Sequence, residues 1–322
     1  MIDRRTFVAA TLASGASFHA AAQACPSKPI TFIVPVPPAG ILDTVARMVV
    51  PSMSATLGQS IVVDNRSGAG GNIAASAAAR ATPDGHTLLV GYSMFHVGNP
   101  SMYRHLTWDP IRDFAPVAML VVSPHVLCIH PSVPAKTMKE FVEYVRANPG
   151  KVNYASPGSG SVPHVGVELF KQQNKLEMVH VPYRGAAPAI QDLIAGSVQM
   201  IVATPPSIAA FVQSGKVRAL AVAAKKRSSR LPDVPTSAEA GFPGFELEAW
   251  VALFAPIATP AAAVKKLSDA AKVALQSPEV IKAADTSGVE IRYQNATQLD
   301  ATVRTDLAYW SKVIKAANIT VE

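Results

Sequence analysis

The sequence predicts an α/β protein of two lobes facing a cleft, each lobe a mainly parallel sheet flanked by helices. Strand and helix patterns alternate in two consecutive series, one over residues 30–91 and one over residues 137–223. Between the series lie two short apolar runs, 117–122 and 126–130, split by Ser123, Pro124 and His125, which read as a narrow junction between lobes. The elements after residue 244 have no sheet of their own, so the chain is expected to cross back and complete the first lobe. The expected division is an export signal over 1–24, lobe 1 over 25–123 plus 248–322, and lobe 2 over 124–247.

The first series opens on a β-branched run (Ile30, Thr31, Ile33, Val34), breaks at Pro37-Pro38-Ala39-Gly40, and resumes as an apolar-periodic helix through Ile41, Leu42, Val45 and Met48. A strand over 61–64, an alanine-rich helix over 73–80 and a strand over 87–91 complete β-α-β-α-β, hence right-handed crossovers. The second series places helices over 137–147, 162–173, 186–195 and 207–214. Its strands fall at 152–155, 178–181, 198–203 and 217–223. The stretch 230–244 is a proline- and glycine-punctuated connector, followed by a strand over 249–255 and helices over 260–276 and 297–316.

The N-terminus reads as an address. Arg4-Arg5 precede an apolar small-residue run, and Ala22-Gln23-Ala24 offers a cleavage site, so export to the periplasm by the twin-arginine or general secretory route is expected. Removing Arg4, Arg5 and Asp3 leaves 27 basic and 21 acidic residues, net +6. Charged residues make up 16% without long runs, which argues against disorder, coiled coil and nucleic-acid tails. Cys25 and Cys128 permit a disulfide in an oxidising compartment, but nothing in the sequence brings them together, and Cys25 also invites a lipoprotein reading.

Two loops open helices in equivalent places. The turn over 37–43 and the glycine- and serine-rich loop over 156–161 both lie where unpaired first-turn amides face the crevice at a strand's carboxyl end, a natural anion site. Ordinary βα loops are the plainer reading of each. The cluster over 68–71 is no phosphate loop, because no Gly-Lys-Ser/Thr follows.

The residues also resemble a family. Val34-Pro35-Val36-Pro37-Pro38-Ala39-Gly40 with Asp43, Val63-Asp64-Asn65-Arg66, Gly68-Ala69-Gly70-Gly71-Asn72, Asn153-Tyr154-Ala155-Ser156, His180-Val181-Pro182-Tyr183-Arg184-Gly185 and Leu231-Pro232-Asp233-Val234-Pro235-Thr236 are similar, in order and spacing, to the solute-binding proteins of tripartite tricarboxylate transporters, the Bug group. The resemblance covers essentially the whole mature chain. It implies a Venus-flytrap periplasmic-binding-protein fold, expected as a monomer. It also implies a small organic anion (carboxylate) as ligand, a two-subunit inner-membrane permease as partner, and neither cofactor nor metal nor nucleic acid. The implied ligand-binding residues are Pro38, Ala39, Gly40, Ile41, Leu42 and Asp43 in the first loop, with Ser93, Phe95 and His96 after the third strand. In the second lobe they are Ser156, Gly158, Ser159, Gly160, Ser161 and His164, then Tyr183, Arg184 and Thr204.

The sequence departs from that pattern at the pocket. Bulky Ile41 and Leu42 replace small polar residues, Phe95 stands where a small polar residue is common, and Thr204-Pro205 replaces an Asp-Asn pair. These changes favour a carboxylate with an apolar body, an aromatic or medium-chain dicarboxylate such as terephthalate, over citrate; the alternative is that Ile41, Leu42 and Phe95 face the core. Asp43 is expected either to touch the ligand or to cap its helix.

The same residues bear on two other functions. An extracytoplasmic sensor could use the same fold. An exported hydrolase lacks a G-x-S-x-G elbow, since Gly158-Ser159-Gly160-Ser161 has the wrong order. The histidines show no metal-ligand spacing.

Overall fold

The computed structural model describes residues 26–321, so the expected export signal and Cys25 lie outside the described residues. Strand β1 (Ile30–Val34) leads into helix α1 (Ile41–Leu57), and β2 (Ile61–Asn65), α2 (Asn72–Ala79) and β3 (Thr87–Tyr92) follow. β2 and β3 lie parallel to β1 on either side, with Ile30 opposite Ile61 and Thr31 opposite Thr87. The period-two alternation of the strands decides what each face meets. Phe32, Val34, Leu88 and Val90 face a core shared with Leu42, Val45 and Val49 of α1, while Ile33 and Leu89 face the opposite one.

After β3 the chain makes a π-helical turn over Met94–Gly98, a short helix α3 (Asn99–Met102), and the long strand β4 (Phe114–Pro124). One residue later it enters the second sheet as β5 (Val126–Ile129). α4 (Met138–Ala147), β6 (Val152–Ser156), α5 (Val162–Asn174), β7 (Met178–Pro182), α6 (Ala186–Ala195), β8 (Met200–Ala203), α7 (Pro205–Gln213) and β9 (Arg218–Val222) build out that sheet. β10 (Glu248–Pro256) then returns between β4 and β3. α8 (Ala261–Leu275), α9 (Pro278–Ser287) and α10 (Ala296–Ala316) pack on the first lobe, and β11 (Glu290–Gln294) joins the edge of the first sheet beside β4.

The strand orders are β11-β4-β10-β3-β1-β2 and β7-β6-β8-β5-β9. Each sheet is mixed where the sequence suggested a mainly parallel one. Strands of the βαβ series are parallel, but β10 runs antiparallel to β3 and β4, and β5 runs antiparallel to β8 and β9. The reason is connectivity: β4, β5, β9 and β10 carry the chain between sheets and need not obey the crossover geometry of a βαβ unit. Helix α7 begins at Pro205 rather than Ser207, because proline's fixed φ suits a first helical turn.

Two crossings join the sheets, and a closed ring of hydrogen bonds ties them together. Ala223 N–H donates to the His125 carbonyl (2.7 Å), Leu247 N–H donates to the Ala223 carbonyl (2.8 Å), and His125 Nδ1 donates to the Leu247 carbonyl (2.9 Å). Leu247 also packs onto α5 at Gly166, where a Cβ would lie 2.3 Å from a Leu247 methyl carbon, so only glycine admits it. These contacts fix the start of α5 against the junction.

Candidate ligand-binding site

On the first lobe the loop before α1 spends its own donors. Pro37 and Pro38 have no N–H. Ala39, at a φ of 66°, donates its N–H to Asp43 Oδ2 (3.0 Å), and Gly40 donates to the Pro37 carbonyl (3.2 Å). The first-turn amides of α1 have no acceptor within the helix, and there Ile41 and Leu42 form cleft wall. Asp43 is 3% exposed and receives Arg47 Nε (3.0 Å) and Asn65 Nδ2 (2.9 Å) as well. The Arg47 guanidinium, helped by the Ala39 and Asn65 amides, holds its carboxyl below the usual range. Asp43 thus clamps loop, helix and β2, and its carboxylate is committed to protein donors.

On the second lobe three helix N-termini meet the cleft, at Val162 of α5, Ala186 of α6 and Thr204 before α7. Ser161 caps α5, accepting the His164 N–H (3.4 Å) and donating to the Gly158 carbonyl (2.7 Å). The Gly158 amide goes to Ser156 Oγ, the Gly160 amide to His164 Nδ1 and the Ser161 amide to the Gly158 carbonyl. The Ser159 and Val162 amides are not consumed this way. Gly185 N–H bonds the Pro157 carbonyl (3.1 Å), which ties the start of α6 to the same loop. Pro205 and Pro206 strip α7 of donors, leaving the Thr204 hydroxyl, which shares a hydrogen bond with Ser207 (3.2 Å).

Between these walls lies a cleft of about 370 Å³. It is also lined by Tyr92, Phe95 and Tyr103 from the first lobe and by Ile201 to Ala203 from the second. Phe95 leaves the π-helical turn toward the cleft, edge-on to Tyr92 with ring centroids 5.3 Å apart, and lies against Gly71, where a Cβ would come within 3.0 Å of the ring. His125 lines the cleft at the junction; burial drives its imidazole down to about 4, and the Leu247 carbonyl places its proton on Nδ1. Among the described residues no Asp, Glu, Lys or Arg lines the wall. Each helix N-terminus carries about half a positive charge, so the described walls combine apolar and aromatic side chains with electropositive helix starts from both lobes.

The structure brings Ile41, Leu42, Phe95, Gly158, Ser159, Gly160, Ser161 and Thr204 to one cleft. Other residues singled out in the sequence lie elsewhere. Pro38 and Ala39 are exposed, and Gly40 turns within the loop. His96 follows Phe95 in the turn and points the opposite way, stacked on Phe254 (3.9 Å) beside Trp108, Phe114 and Trp250; burial takes it down to about 3. Ser93 is buried, its hydroxyl without a described partner. His164 stacks on His180 (3.9 Å) behind the loop. Tyr183 donates to Asp192 Oδ2 (2.6 Å), its phenol pushed up to about 12 by burial and that carboxylate, and Arg184 is exposed.

Ser156 Oγ lies 2.7 Å from His180 Nε2, a pairing found in serine nucleophiles. Ser156 is fully buried and its hydroxyl donates to the Gly158 carbonyl (3.1 Å), so it shapes the loop and offers no face to a substrate. Among the described residues no group of three His, Cys, Asp or Glu is placed to hold a metal ion.

Tyr92, Asn99, Met102, Tyr103, His125 and Val321 line the cleft without having been singled out for it. The junction Ser123-Pro124-His125 was a visible signal for His125. The others depend on the π-helical turn and on the path of the chain after α10, which no local pattern announces.

The chain matches the model of the tripartite tricarboxylate transporter family receptor over residues 45–319. BugT of Bordetella pertussis is 32% identical over 303 residues, covering 94% of this chain and 93% of that protein. A Rhodopseudomonas palustris protein solved with adipate superposes with a TM-score of 0.80 at 34% identity, covering 92% of this chain and 99% of the other. MatC of the same organism, solved with bound malate, gives 0.76 at 36% identity, covering 90% and 99%. With match and superposition running nearly the whole length, the chain belongs to the tripartite tricarboxylate transporter receptor family, a family of solute-binding proteins rather than enzymes.

Proposed function

We propose that this protein is a periplasmic receptor that captures a dicarboxylate with an apolar body, a medium-chain or aromatic diacid such as terephthalate, and delivers it to a two-subunit membrane permease. The observation that carries the reading is the distribution of polarity in the cleft. Helix first turns stand on both walls, at Ile41 and Leu42 on one side and at Val162 and Ala186 on the other, with the loop residue Ser159 beside them, and Phe95, Tyr92 and aliphatic side chains line the same cleft. Carboxylates are held by oriented amides and helix dipoles at each end, and the chain linking them is desolvated against apolar wall at roughly 25 cal/mol per Å². Citrate would bring a third carboxylate and a hydroxyl against Phe95 and Ile41, whose side chains offer no hydrogen bond to compensate their desolvation. The adipate and malate bound to the two relatives agree with a small diacid. The domain division follows the same logic: residues 25–123 with 248–322 act as one jaw and 124–247 as the other, hinging at the two crossings.

Calorimetric titration of the mature protein with adipate, terephthalate and citrate tests the reading. Binding of adipate or terephthalate at least tenfold tighter than citrate is expected. Tight citrate binding with none for the other two would overturn it.

A further inference from the structure

Helix α10 ends at Ala316, but the chain beyond it is held and redirected. Ala317, Asn318 and Ile319 donate their amides to the carbonyls of Val313, Lys315 and Ile314 (3.0, 3.2 and 3.1 Å), Asn318 turns the backbone at a φ of 50°, and Ile319 is buried in the first lobe. Val321 then donates its N–H to the Met102 carbonyl at the end of α3 (3.0 Å) and becomes part of the cleft wall. Facing it on the second lobe is Gly160, in the loop whose neighbouring amides line the cleft. A Cβ built on Gly160 would sit 3.0 Å from Val321 Cγ2 and 3.0 Å from Met102 Sδ. Gly160 holds a φ of 77°, a conformation that strains any side chain, and its surroundings are already tight. The contact is therefore a close, apolar one between the lobes at the edge of the ligand space.

We infer that Val321 is a specificity-determining residue: with Met102 it walls one end of the cleft against Gly160 and so sets the length of diacid that fits. The inference rests on the carboxylate reading and adds a residue far from every sequence motif that suggested it. The physical basis is steric. The wall at Met102 and Val321 is made of side chains with no hydrogen-bonding group, so it meets the carbon chain of the ligand rather than a carboxylate, and a chain too long for the space must displace the segment from Met102 or hold Gly160 away. A smaller side chain at 321 lengthens the space, and a larger one shortens it. Because Val321 is half-buried and its backbone does the anchoring, its side chain can be changed without removing the hydrogen bond to Met102.

The test is a calorimetric affinity series with succinate, adipate and suberate for the wild type, Val321→Ala and Val321→Phe. Thermal melts of the unliganded proteins verify folding. Val321→Phe is expected to lower the ratio of adipate to succinate affinity by about tenfold, since a ring fills space the longer chain needs. Val321→Ala is expected to raise the ratio of suberate to adipate affinity by about threefold or more, with melting temperatures near wild type. If both variants keep the wild-type ratios within about twofold, Val321 does not gauge length and the inference fails while the receptor reading stands. If the wild type binds none of the three acids and no other carboxylate, the receptor reading fails and this inference with it.

Discussion

His125 Nδ1 lies 2.9 Å from the carbonyl oxygen of Leu247, so one side chain bolts together the two strands of chain that pass between the lobes. The same residue forms cleft wall. Ligand site and junction therefore share a buried group. Replacing His125 with alanine leaves the Leu247 carbonyl without its donor and opens space at the cleft floor. A stability loss of about 2 kcal/mol is expected from the unmet acceptor alone, read as a lower urea midpoint.

The buried imidazoles give the fold a pH dependence. Burial lowers His125 and His180 to about 4 and His96 to about 3, the neighbouring His164 adding to the shift at His180. In the unfolded chain these rings take up protons near pH 6.5. Their depressed folded values mean that the unfolded chain binds more protons between those limits. The stabilisation they contribute is complete above about pH 6.5 and is lost as pH falls toward about 4. Urea midpoints should decline steadily from pH 7 to pH 4.5. A midpoint unchanged down to pH 5 would contradict these assignments.

Asp43 is expected to act on the loop rather than on the ligand. Asp43→Asn weakens its bonds from Arg47 and the Ala39 amide, at a cost of about 2 kcal/mol in stability, because hydrogen bonds to a buried charge are among the stronger ones. Its depressed pKa places that contribution above about pH 4, lost on further acidification. Stability and affinity should fall together across Asp43→Asn, Arg47→Ala and Asn65→Ala, since all three loosen one clamp.

Phe95 supplies apolar wall to the cleft. Phe95→Ser should weaken adipate by about tenfold through lost apolar contact and narrow its advantage over citrate. Calorimetry on the variant reads both effects. An unchanged preference would place discrimination elsewhere on the wall.

Much of this organisation was legible in the residues. The strand and helix alternation of the two βαβ series, the junction at Ser123-Pro124-His125 and the return of the segment from residue 248 onward to the first sheet follow from hydrophobic period and turn chemistry. Sheet direction was not legible, because nothing local in residues 248–256 says that β10 inserts antiparallel between β3 and β4. Helix α9 and strand β11 escaped notice for a similar reason: β11 is half-buried at every position and shows no alternation. At the site, helix-opening loops announced the second-lobe amides around Ser159. The partition between wall and core could not be read from spacing. Phe95 and His96 are adjacent, and only the π-helical turn decides that one faces the cleft and the other an aromatic cage.

A cleft whose described walls hold no charged side chain is to grip both ends of a diacid, and the most direct measurement compares ligands that differ only at one end. Titrating the mature protein with adipate and with hexanoate under identical conditions isolates the second carboxylate. The two-ended grip predicts that adipate binds at least about a hundredfold more tightly, the worth of one set of charge-assisted hydrogen bonds in a largely desolvated site. Equal affinity for hexanoate would mean that only one wall binds a carboxylate, and would contradict the account.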